Sequence, residues 1–319
     1  MNTFGRIREA AAEVARRARF VRLDEDRAGD LAGRLVATLA EPPLLDPAHH
    51  HRGDDASTLA FVVTLDAVNF GSGWFPFMRK RPGCSGYFTV ATALTEHFDR
   101  AGPLSAGALA AATTEGCAEL FDQDPAVPEM AELMAHFAAA WRELGRFLQD
   151  RFDGRFEGLV EAARSSAARW VDLLAQLPHF HDVSRYDELE VPLFKRAQLA
   201  AADLALAFEG RGPGRFDDLD ELTIFADNLV PHVLRREGVL DYDPDLAARI
   251  DAGTPIGAGT KEEVEIRAVA LHAVETMTAQ LSAAGHAFSA QRIDYALWSR
   301  GQSPEMKAHP RHRTRTVYY

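Results

Sequence analysis

The sequence predicts an all-α protein. Apolar residues recur at helical spacing along most of the chain, alanine (the best helix former) is abundant in those stretches, and alternating strand patterns are scarce. The stretches with helical spacing are 7–20, 27–40, 88–99, 105–121, 129–151, 156–176, 194–208, 262–281 and 289–299. We therefore predict a compact helical fold, with residues 1–319 in a single domain of one lobe or two.

Local signals mark several element boundaries. Ser105 is a predicted N-cap, and Thr260-Lys261-Glu262-Glu263 has the T-x-x-E pattern of a capping box. Residues 58–65 are rich enough in β-forming residues to be ambiguous, and we predict a helix because the pattern continues into 66–69. The terminal Val317-Tyr318-Tyr319 predicts a tail packed on the body of the protein. Pro, Gly and Asp accumulate in the predicted loops 41–56, 71–87, 178–192, 210–217, 252–259 and 301–311.

Composition and charge exclude several classes of protein. The 47% hydrophobic and 26% charged content is that of a globular protein, and no apolar run approaches the ~18 residues of a membrane span. The net charge of −12 argues against a nucleic-acid polymer as partner, because such proteins neutralise many phosphates with Lys and Arg. The first residues show no apolar signal core, so we expect a cytoplasmic protein that binds neither membrane nor nucleic acid.

The cysteines and histidines do not predict a metal site. Cys84 and Cys117 are isolated, and each is interpreted as a small core residue. His49-His50-His51 lacks partner ligands at a recognisable spacing. We expect neither a metal nor a cofactor.

Asp227 lies between the apolar Ile224-Phe225-Ala226 and a run that ends in Arg235-Arg236. A carboxylate in that place is either the N-cap of a helix or a charge kept for chemistry. The cap is favoured by this segment alone, because Asp is among the commonest N-cap residues.

Lys195 falls in a predicted helix with apolar neighbours. An exposed lysine is the default interpretation, and the alternative is a lysine turned towards Asp227, where it would favour the ionised carboxylate. A lysine early in one helix and an Asp opening a later one resemble the order in helix-hairpin-helix DNA glycosylases. The glycine-rich hairpin of those proteins is missing, since residues 190–194 read Glu-Val-Pro-Leu-Phe.

Residues 65–75 combine polar and aromatic side chains around Gly71-Ser72-Gly73. Asp66 and Asn69 would share a helix face, and Phe70 and Trp74 flank the Gly-Ser-Gly turn. These residues form either a capped helix end with core aromatics or a pocket that stacks a flat heterocycle and binds its edge.

The charged residues near 265 are interpreted as a solvated helix face. Arg267 can reach Glu263 one turn earlier, an exposed pair that contributes about 0.3–0.5 kcal/mol. Glu265 would matter only if its own face turned inward. The arginines of 309–319 could clamp a phosphate or belong to a surface tail.

Several segments together resemble the queuosine salvage proteins, the queuosine 5′-phosphate N-glycosylase/hydrolases. They occur in the family's order from about residue 45 to the last residue. The matching segments are Asp66-Ala67-Val68-Asn69-Phe70 with Trp74, Val191-Pro192-Leu193-Phe194-Lys195-Arg196-Ala197-Gln198, Thr223-Ile224-Phe225-Ala226-Asp227, Val264-Glu265-Ile266-Arg267, Ile293-Asp294-Tyr295 with Leu297-Trp298, and His312-Arg313-Thr314-Arg315-Thr316-Val317-Tyr318-Tyr319. Residues 228–232 depart from the family's pattern, and the 71–73 turn is longer than usual.

The resemblance implies a helical fold similar to helix-hairpin-helix DNA glycosylases and hydrolysis of the N-glycosidic bond of queuosine 5′-monophosphate, which releases queuine for reinsertion into tRNA. It implies that Asp227 stabilises positive charge on the ribose or activates water, with Lys195 beside it. Asp66 or Glu265 are candidates to protonate the leaving base, and Arg196 or the terminal arginines to bind the phosphate. The remaining predicted substrate contacts are Asn69, Phe70, Trp74, Phe225 and Asn228.

Two other functions stay open. A helix-hairpin-helix DNA-base glycosylase would need a basic DNA-binding face, against which the net charge argues. A non-enzymatic protein that binds a purine-like ligand would need Asp227 for affinity only. The sequence does not indicate the oligomeric state.

Overall fold

The computed structural model describes residues 1–40, 43 and 45–319. Helices account for 59% of the residues and strands for 4%, which confirms the all-α prediction. The helices are α1 Thr3–Arg17, α2 Glu25–Leu39, α3 Asp55–Asp66, α4 Gly86–Ala101, α5 Ala106–Ala110, α6 Thr114–Leu120, α7 Pro128–Phe152, α8 Phe156–Ala163, α9 Ala167–Leu174, α10 Lys195–Ala207, α11 Val230–Arg236, α12 Pro244–Asp251, α13 Lys261–Ala283, α14 Ala290–Gly301 and α15 Pro304–Lys307. None of these helices is long and apolar enough to cross a membrane.

Two short antiparallel strand pairs accompany the helices. Strand β1 Val21–Leu23 pairs with β4 Leu240–Tyr242, and β2 Val183–Tyr186 pairs with β3 Leu189–Pro192. The second pair lies within residues 178–192, so our prediction of a loop was wrong for 183–186 and 189–192. Strands of three or four residues are too short to show an alternating pattern.

The predicted helix caps are confirmed, and one differs in detail. The Ser105 side chain accepts from the Ala108 N–H, and Thr260 accepts from Glu263 N–H. The Glu263 carboxylate bonds Gly259 N–H at 3.1 Å. The reciprocal arm of the capping box is thus displaced by one residue from its usual target.

Two predicted helices are interrupted. The stretch 105–121 contains α5 and α6, because Thr113 starts a new helix as its N-cap. The stretch 156–176 contains α8 and α9, separated by Arg164 and Ser165 with left-handed φ angles of 51° and 54°. Asp218 then caps α9 from a distant part of the chain, at 2.5 Å from Ala167 N. The local N-cap of α9 is Ser166, whose side chain accepts the Arg169 N–H at 3.3 Å, whereas a partner as far along the sequence as Asp218 leaves no local signal.

Other local predictions have mixed outcomes. The ambiguous stretch 58–65 is helical, within α3, as predicted. Helix α15 interrupts the predicted loop 301–311. Residues 41, 42 and 44 of the predicted loop 41–56 lie outside the described residues. The tail prediction is confirmed, because Tyr319 is buried and its carbonyl accepts from Gly71 N–H at 3.2 Å.

The chain divides into two compact units. Unit 1 contains Met1–Pro43, Asp182–Lys195 and Asp220–Arg315. Unit 2 contains Leu44–His181, Arg196–Leu219 and Thr316–Tyr319.

Unit 1 is built around α13. Every residue from Glu263 to Leu271 on this helix is buried, and α1 and α2 pack against it. The predicted solvated face was therefore wrong, since Glu263, Glu265 and Arg267 are between 0% and 2% exposed. The predicted pair of Arg267 with Glu263 is present at 3.6 Å, but it is buried. Glu265 and Arg267 also bond other segments of unit 1, which a local pattern cannot reveal.

Unit 2 is built around the long helix α7, against which α5, α6 and α8 pack. The approach of α5 requires Gly145, because a Cβ there would lie 2.3 Å from the Ala110 backbone nitrogen. Glycine permits backbones to approach this closely.

Candidate functional site

Asp227 precedes α11 and is half-buried. Its Oδ1 accepts the N–H groups of Leu229 at 2.7 Å and Val230 at 3.1 Å. One oxygen therefore accepts two N–H groups at the start of α11. The N-cap position itself is Leu229, so the favoured interpretation of Asp227 as a cap is correct for the hydrogen bonds but not for the position. Within the described part of the chain, Oδ2 forms no hydrogen bond. The carboxylate is held rigidly and keeps one oxygen for another partner.

A second carboxyl group, Asp294 on α14, lies close to Asp227. It is 3% exposed, and its Oδ1 accepts Phe225 N–H at 2.9 Å. Burial, and after it the charge of Asp227, raise the pKa of Asp294 to about 8, against the opposing effects of the Phe225 hydrogen bond and Lys195. At neutral pH Asp294 therefore keeps its proton.

Lys195 is the first residue of α10 and is 7% exposed. The default expectation of an exposed lysine was wrong. Its charge acts on Asp294, whose pKa it lowers. Its backbone N–H donates to Asp182 Oδ2 at 3.1 Å. A buried lysine is rare, and this one adds a cation to the surroundings of the carboxyl pair.

Arg311 contributes a second cation. Burial lowers the pKa of its guanidinium, and the charge of Asp227 opposes that change. Among the terminal arginines considered from the sequence, this one is therefore near Asp227. Unit 1 brings together two carboxyl groups, a lysine and an arginine, an arrangement suited to a substrate with both developing positive charge and a fixed negative group.

Phe225 and Asn228 flank Asp227 in the chain and are about 4% exposed. The Phe225 ring packs edge-on against Tyr295, with centroids 6.0 Å apart. The Asn228 amide donates to the His312 carbonyl at 3.4 Å. Both side chains are engaged in unit 1, so their contacts with a substrate stay predictions.

The Glu265 side chain is fully buried and fully occupied. Oε2 accepts three backbone N–H groups, from Arg19, Phe20 and Val21, at 2.6–3.1 Å. Oε1 accepts from Tyr186 Oη at 2.7 Å. Glu265 therefore does face inward, which is the possibility that the sequence left open. Its four hydrogen-bond donors favour a structural role over proton transfer to a leaving base.

Asp66 and Asn69 lie in unit 2 at the end of α3. The Asn69 amide donates to Asp66 Oδ1 at 3.0 Å, so the predicted shared location is correct. Asp66 is 1% exposed. Burial raises the pKa of the neighbouring Tyr87 well above its ordinary value, and the charges of Asp203 and Asp66 add to that effect. Substrate contact by Asp66 or Asn69 stays a prediction.

Phe70 and Trp74 are at most 2% exposed. Phe70 packs edge-on against Phe137 at 5.1 Å, and Trp74 Nε1 donates to Glu132 at 2.8 Å. These contacts favour the interpretation as core aromatics. Stacking of a heterocycle on either ring stays a prediction.

Arg196 is buried in unit 2. Its guanidinium donates to the carbonyls of Asp66 and Ala67 at 3.0 and 2.7 Å and to that of His179. It also lies 4.7 Å from the Phe70 ring and 4.5 Å from the Phe180 ring. Backbone carbonyls and ring faces both attract a cation, so these contacts favour a structural role over phosphate binding.

The remaining candidate residues have partners or surroundings of their own. His50 bonds the Asp46 carbonyl and Tyr87 Oη through its two ring nitrogens, and His51 bonds Asp99 and Ser57. Cys117 is buried, which raises the pKa of its thiol to about 12. An open groove of about 550 Å³ in unit 1, around β1 and the end of α1, is lined by none of the predicted site residues.

Sequence reasoning gave Asp294 no role and overlooked Asp182. Asp294 lies within a segment of the family resemblance, yet an Asp inside a helix resembles a surface residue. Asp182 stands between two predicted elements, where acidic residues are common.

The comparisons with known proteins cover almost the whole chain. The profile of the family described as queuosine salvage protein matches residues 49–319. The chain is 37% identical over 311 residues to the queuosine 5′-phosphate N-glycosylase/hydrolase of Sphaerobacter thermophilus, and the aligned region covers 96% of this chain and 95% of the relative. The protein of the same name from Mus musculus is 30% identical over 98% of both chains. The one from Dictyostelium discoideum is 36% identical over 82% of this chain and 78% of the relative.

Proposed function

Because the chain belongs to the queuosine salvage protein family, we propose that it hydrolyses the N-glycosidic bond of queuosine 5′-phosphate and releases queuine. The family match over residues 49–319 and the 37% identity to a named N-glycosylase/hydrolase support the reaction. The substrate class is a small nucleotide. The structural observation that carries the proposal is the Asp227 carboxylate, fixed by two N–H groups through one oxygen.

The chemistry requires such a group. Breaking the bond between ribose and base builds positive charge on C1′, which a preorganised carboxylate stabilises because it needs no reorganisation during the reaction. In this proposal Asp227 Oδ2 faces C1′ or orients the attacking water. The helix cap on Oδ1 keeps the carboxylate in place while charge develops.

Asp294 supplies the complementary protonation state. A protonated carboxyl group can donate a hydrogen bond or a proton, and the site holds one at neutral pH because Asp294 is buried beside Asp227. The departing base gains negative charge and needs a donor. We assign that task to Asp294 in preference to Glu265, whose oxygens already accept four hydrogen bonds.

The cations near the carboxyl pair suit the 5′-phosphate. Arg311 carries a planar fork of donors, and Lys195 a compact charge. We propose Arg311 as the phosphate ligand, with Lys195 either sharing that role or favouring the negative charge of Asp227. Arg196 is no longer proposed for the phosphate, since its donors engage three carbonyls.

The decisive experiment compares wild type with Asp227→Asn on queuosine 5′-monophosphate, with free queuine measured by mass spectrometry. Asparagine is also a good N-cap residue, so the variant should fold. We expect turnover to fall by at least about 100-fold while calorimetric substrate affinity changes little. Equal activity in both proteins would refute the assignment of Asp227.

A matched control separates the cap from the chemistry. Asp243 caps α12 in the same way, with Oδ1 at 3.0 Å from Asp245 N and 3.4 Å from Leu246 N. Asp243→Asn should leave turnover unchanged. Binding of the substrate without release of queuine by wild type would instead support the non-enzymatic alternative.

A further inference from the structure

The backbone just before Lys195 adopts an unfavourable conformation. Phe194 has a φ of 45°, in the left-handed region that bulky residues rarely occupy. Such strain persists only where surrounding contacts impose it, and it is concentrated at functional sites. Lys195 therefore begins α10 directly after a strained corner of the backbone at Phe194, which other contacts must stabilise.

Asp182 supports this corner. Its carbonyl oxygen accepts the N–H groups of Leu193 at 2.9 Å and Phe194 at 3.2 Å. Its carboxylate Oδ2 accepts Lys195 N–H at 3.1 Å. Three consecutive backbone N–H groups thus end on one residue, which fixes where α10 begins and from where the Lys195 side chain departs.

Arg267 links this corner to the Asp227 segment. Its Nη1 and Nη2 donate to the two Asp182 carboxylate oxygens at 3.0 and 2.6 Å. Its Nε donates to the carbonyl of Ala226, the residue before Asp227, at 2.9 Å. The side chains of Arg267 and Asp182 are 1% and 2% exposed. One guanidinium therefore holds the backbone beside Asp227 and, through Asp182, the backbone of Lys195.

We propose that Arg267 and Asp182 are positioning residues for the hydrolysis: together they set the distance and orientation between Lys195 and Asp227 without touching the substrate. The inference rests on the proposed function. The link needs the planar fork of an arginine, because three directed donors reach three fixed acceptors at once. A lysine could preserve the charge opposite Asp182 but not this geometry.

The bland alternative is a buried ion pair that only contributes to folding. In that case its loss would lower stability without a specific effect on kcat. The two alternatives differ in which kinetic constant changes, in coupling to Lys195 and in which amides lose protection.

The first test compares Arg267→Lys with Tyr186→Phe. Tyr186 also donates to α13, through the buried Glu265, and among the described residues its hydroxyl bonds only Glu265 and the Arg17 carbonyl. Both variants should melt at a lower temperature. We expect kcat for queuosine 5′-monophosphate to fall on the order of 100-fold in Arg267→Lys only, with KM nearly constant, since a displacement of about 1 Å can cost that much. Equal kcat in the two variants would overturn the proposal.

A double-mutant cycle then tests whether Arg267 acts through Lys195. The loss caused by Arg267→Lys should be smaller in a Lys195→Met background than in wild type, because one of the two groups that it positions is already gone. Equal losses in the two backgrounds would show independent effects and contradict the link to Lys195. If Arg267→Lys does not fold, Asp182→Asn replaces it in both tests, because the amide oxygen can still accept Lys195 N–H.

Hydrogen exchange tests the link without reference to activity. In Arg267→Lys the amides of residues 193–195 and of Leu229 and Val230 should exchange faster together, whereas Tyr186→Phe should leave them protected. Unchanged exchange at both segments would refute the link even in an active enzyme. Wild type that releases no queuine would refute the proposed function, while exchange would still decide whether Arg267 joins the two segments.

Discussion

Replacing Asp294 with asparagine should stabilise the protein, by an amount that grows with pH. The introduced amide would keep an oxygen for the Phe225 N–H, which Asp294 Oδ1 now accepts at 2.9 Å. It would lose the ability to ionise next to Asp227. The variant therefore removes the cost of keeping a proton on Asp294 at pH values where the unfolded chain releases it, and it preserves the main hydrogen bond.

The size of the effect follows from the raised pKa of Asp294. The pKa is about 8 in the folded protein against an ordinary 3.8, so between these values the folded state holds a proton that the unfolded state has released. Stability that is fully present below the unfolded pKa is then lost as pH rises towards 8. At pH 7 roughly three pH units of this loss have accumulated, at ~1.4 kcal/mol each, which gives about 4 kcal/mol.

Urea unfolding of both proteins at about pH 5, 7 and 9 measures this directly. The free energy of unfolding of Asp294→Asn minus that of wild type should increase from about pH 5 to about pH 8 and stay constant above it. A difference that is the same at the two lower pH values would refute the reasoning, since an altered hydrogen bond alone does not depend on pH in this range.

Kinetics on the same pair of proteins assigns the role of the proton. Wild-type kcat/KM, which reports the pKa values of the free enzyme, should fall as pH rises through about 8, when Asp294 ionises. If Asp294 protonates the departing base, Asp294→Asn is inactive at every pH. Retained activity without the alkaline decline would limit Asp294 to a neutral hydrogen-bonding partner and contradict our assignment of proton transfer.

Two further predictions concern the other buried charges of unit 1. Lys195→Met should lower kcat and move the alkaline decline in activity to higher pH, because the lysine charge now lowers the pKa of Asp294. A pH profile with the wild-type midpoint would contradict this electrostatic link. Glu265→Gln should lower the melting temperature while kcat of the folded protein stays near the wild-type value. The glutamine amide has one oxygen and cannot accept the hydrogen bonds that now end on both carboxylate oxygens. A large loss of kcat in a stable variant would instead support Glu265 as the proton donor.

Sequence patterns predicted the fold where the signal is local. The helices of the all-α class follow from apolar periodicity, and the caps at Ser105 and Thr260 follow from side chains that bond N–H groups within a turn. The break between α8 and α9 has one local signal, the N-cap Ser166, which our prediction missed, whereas the further bonds from Asp218, about 50 residues away, could not be predicted. Hydrogen bonds within one helical turn can be predicted from the sequence, and those between distant segments cannot.

The site divides in the same way. Asp227 was found because its apolar flank and its two following arginines are adjacent in sequence. Asp182 was missed because its partner Arg267 lies 85 positions away. The sequence placed Arg267 on a solvated face, since three charged residues within five positions usually indicate a surface. In α13, Glu265 and Arg267 instead bond segments of unit 1 that are distant in sequence and that only the folded chain brings to one helix.

The choice between a cap and a catalytic charge at Asp227 is resolved by counting its oxygens. A carboxylate has two, and the helix needs one, at 2.7 and 3.1 Å from two N–H groups. A cap fixes the side-chain torsions, so the second oxygen keeps one direction without a further partner to hold it there. Capping therefore supplies the preorganisation that charge stabilisation requires, and the same two hydrogen bonds should survive in Asp227→Asn, which isolates the charge as the variable under test.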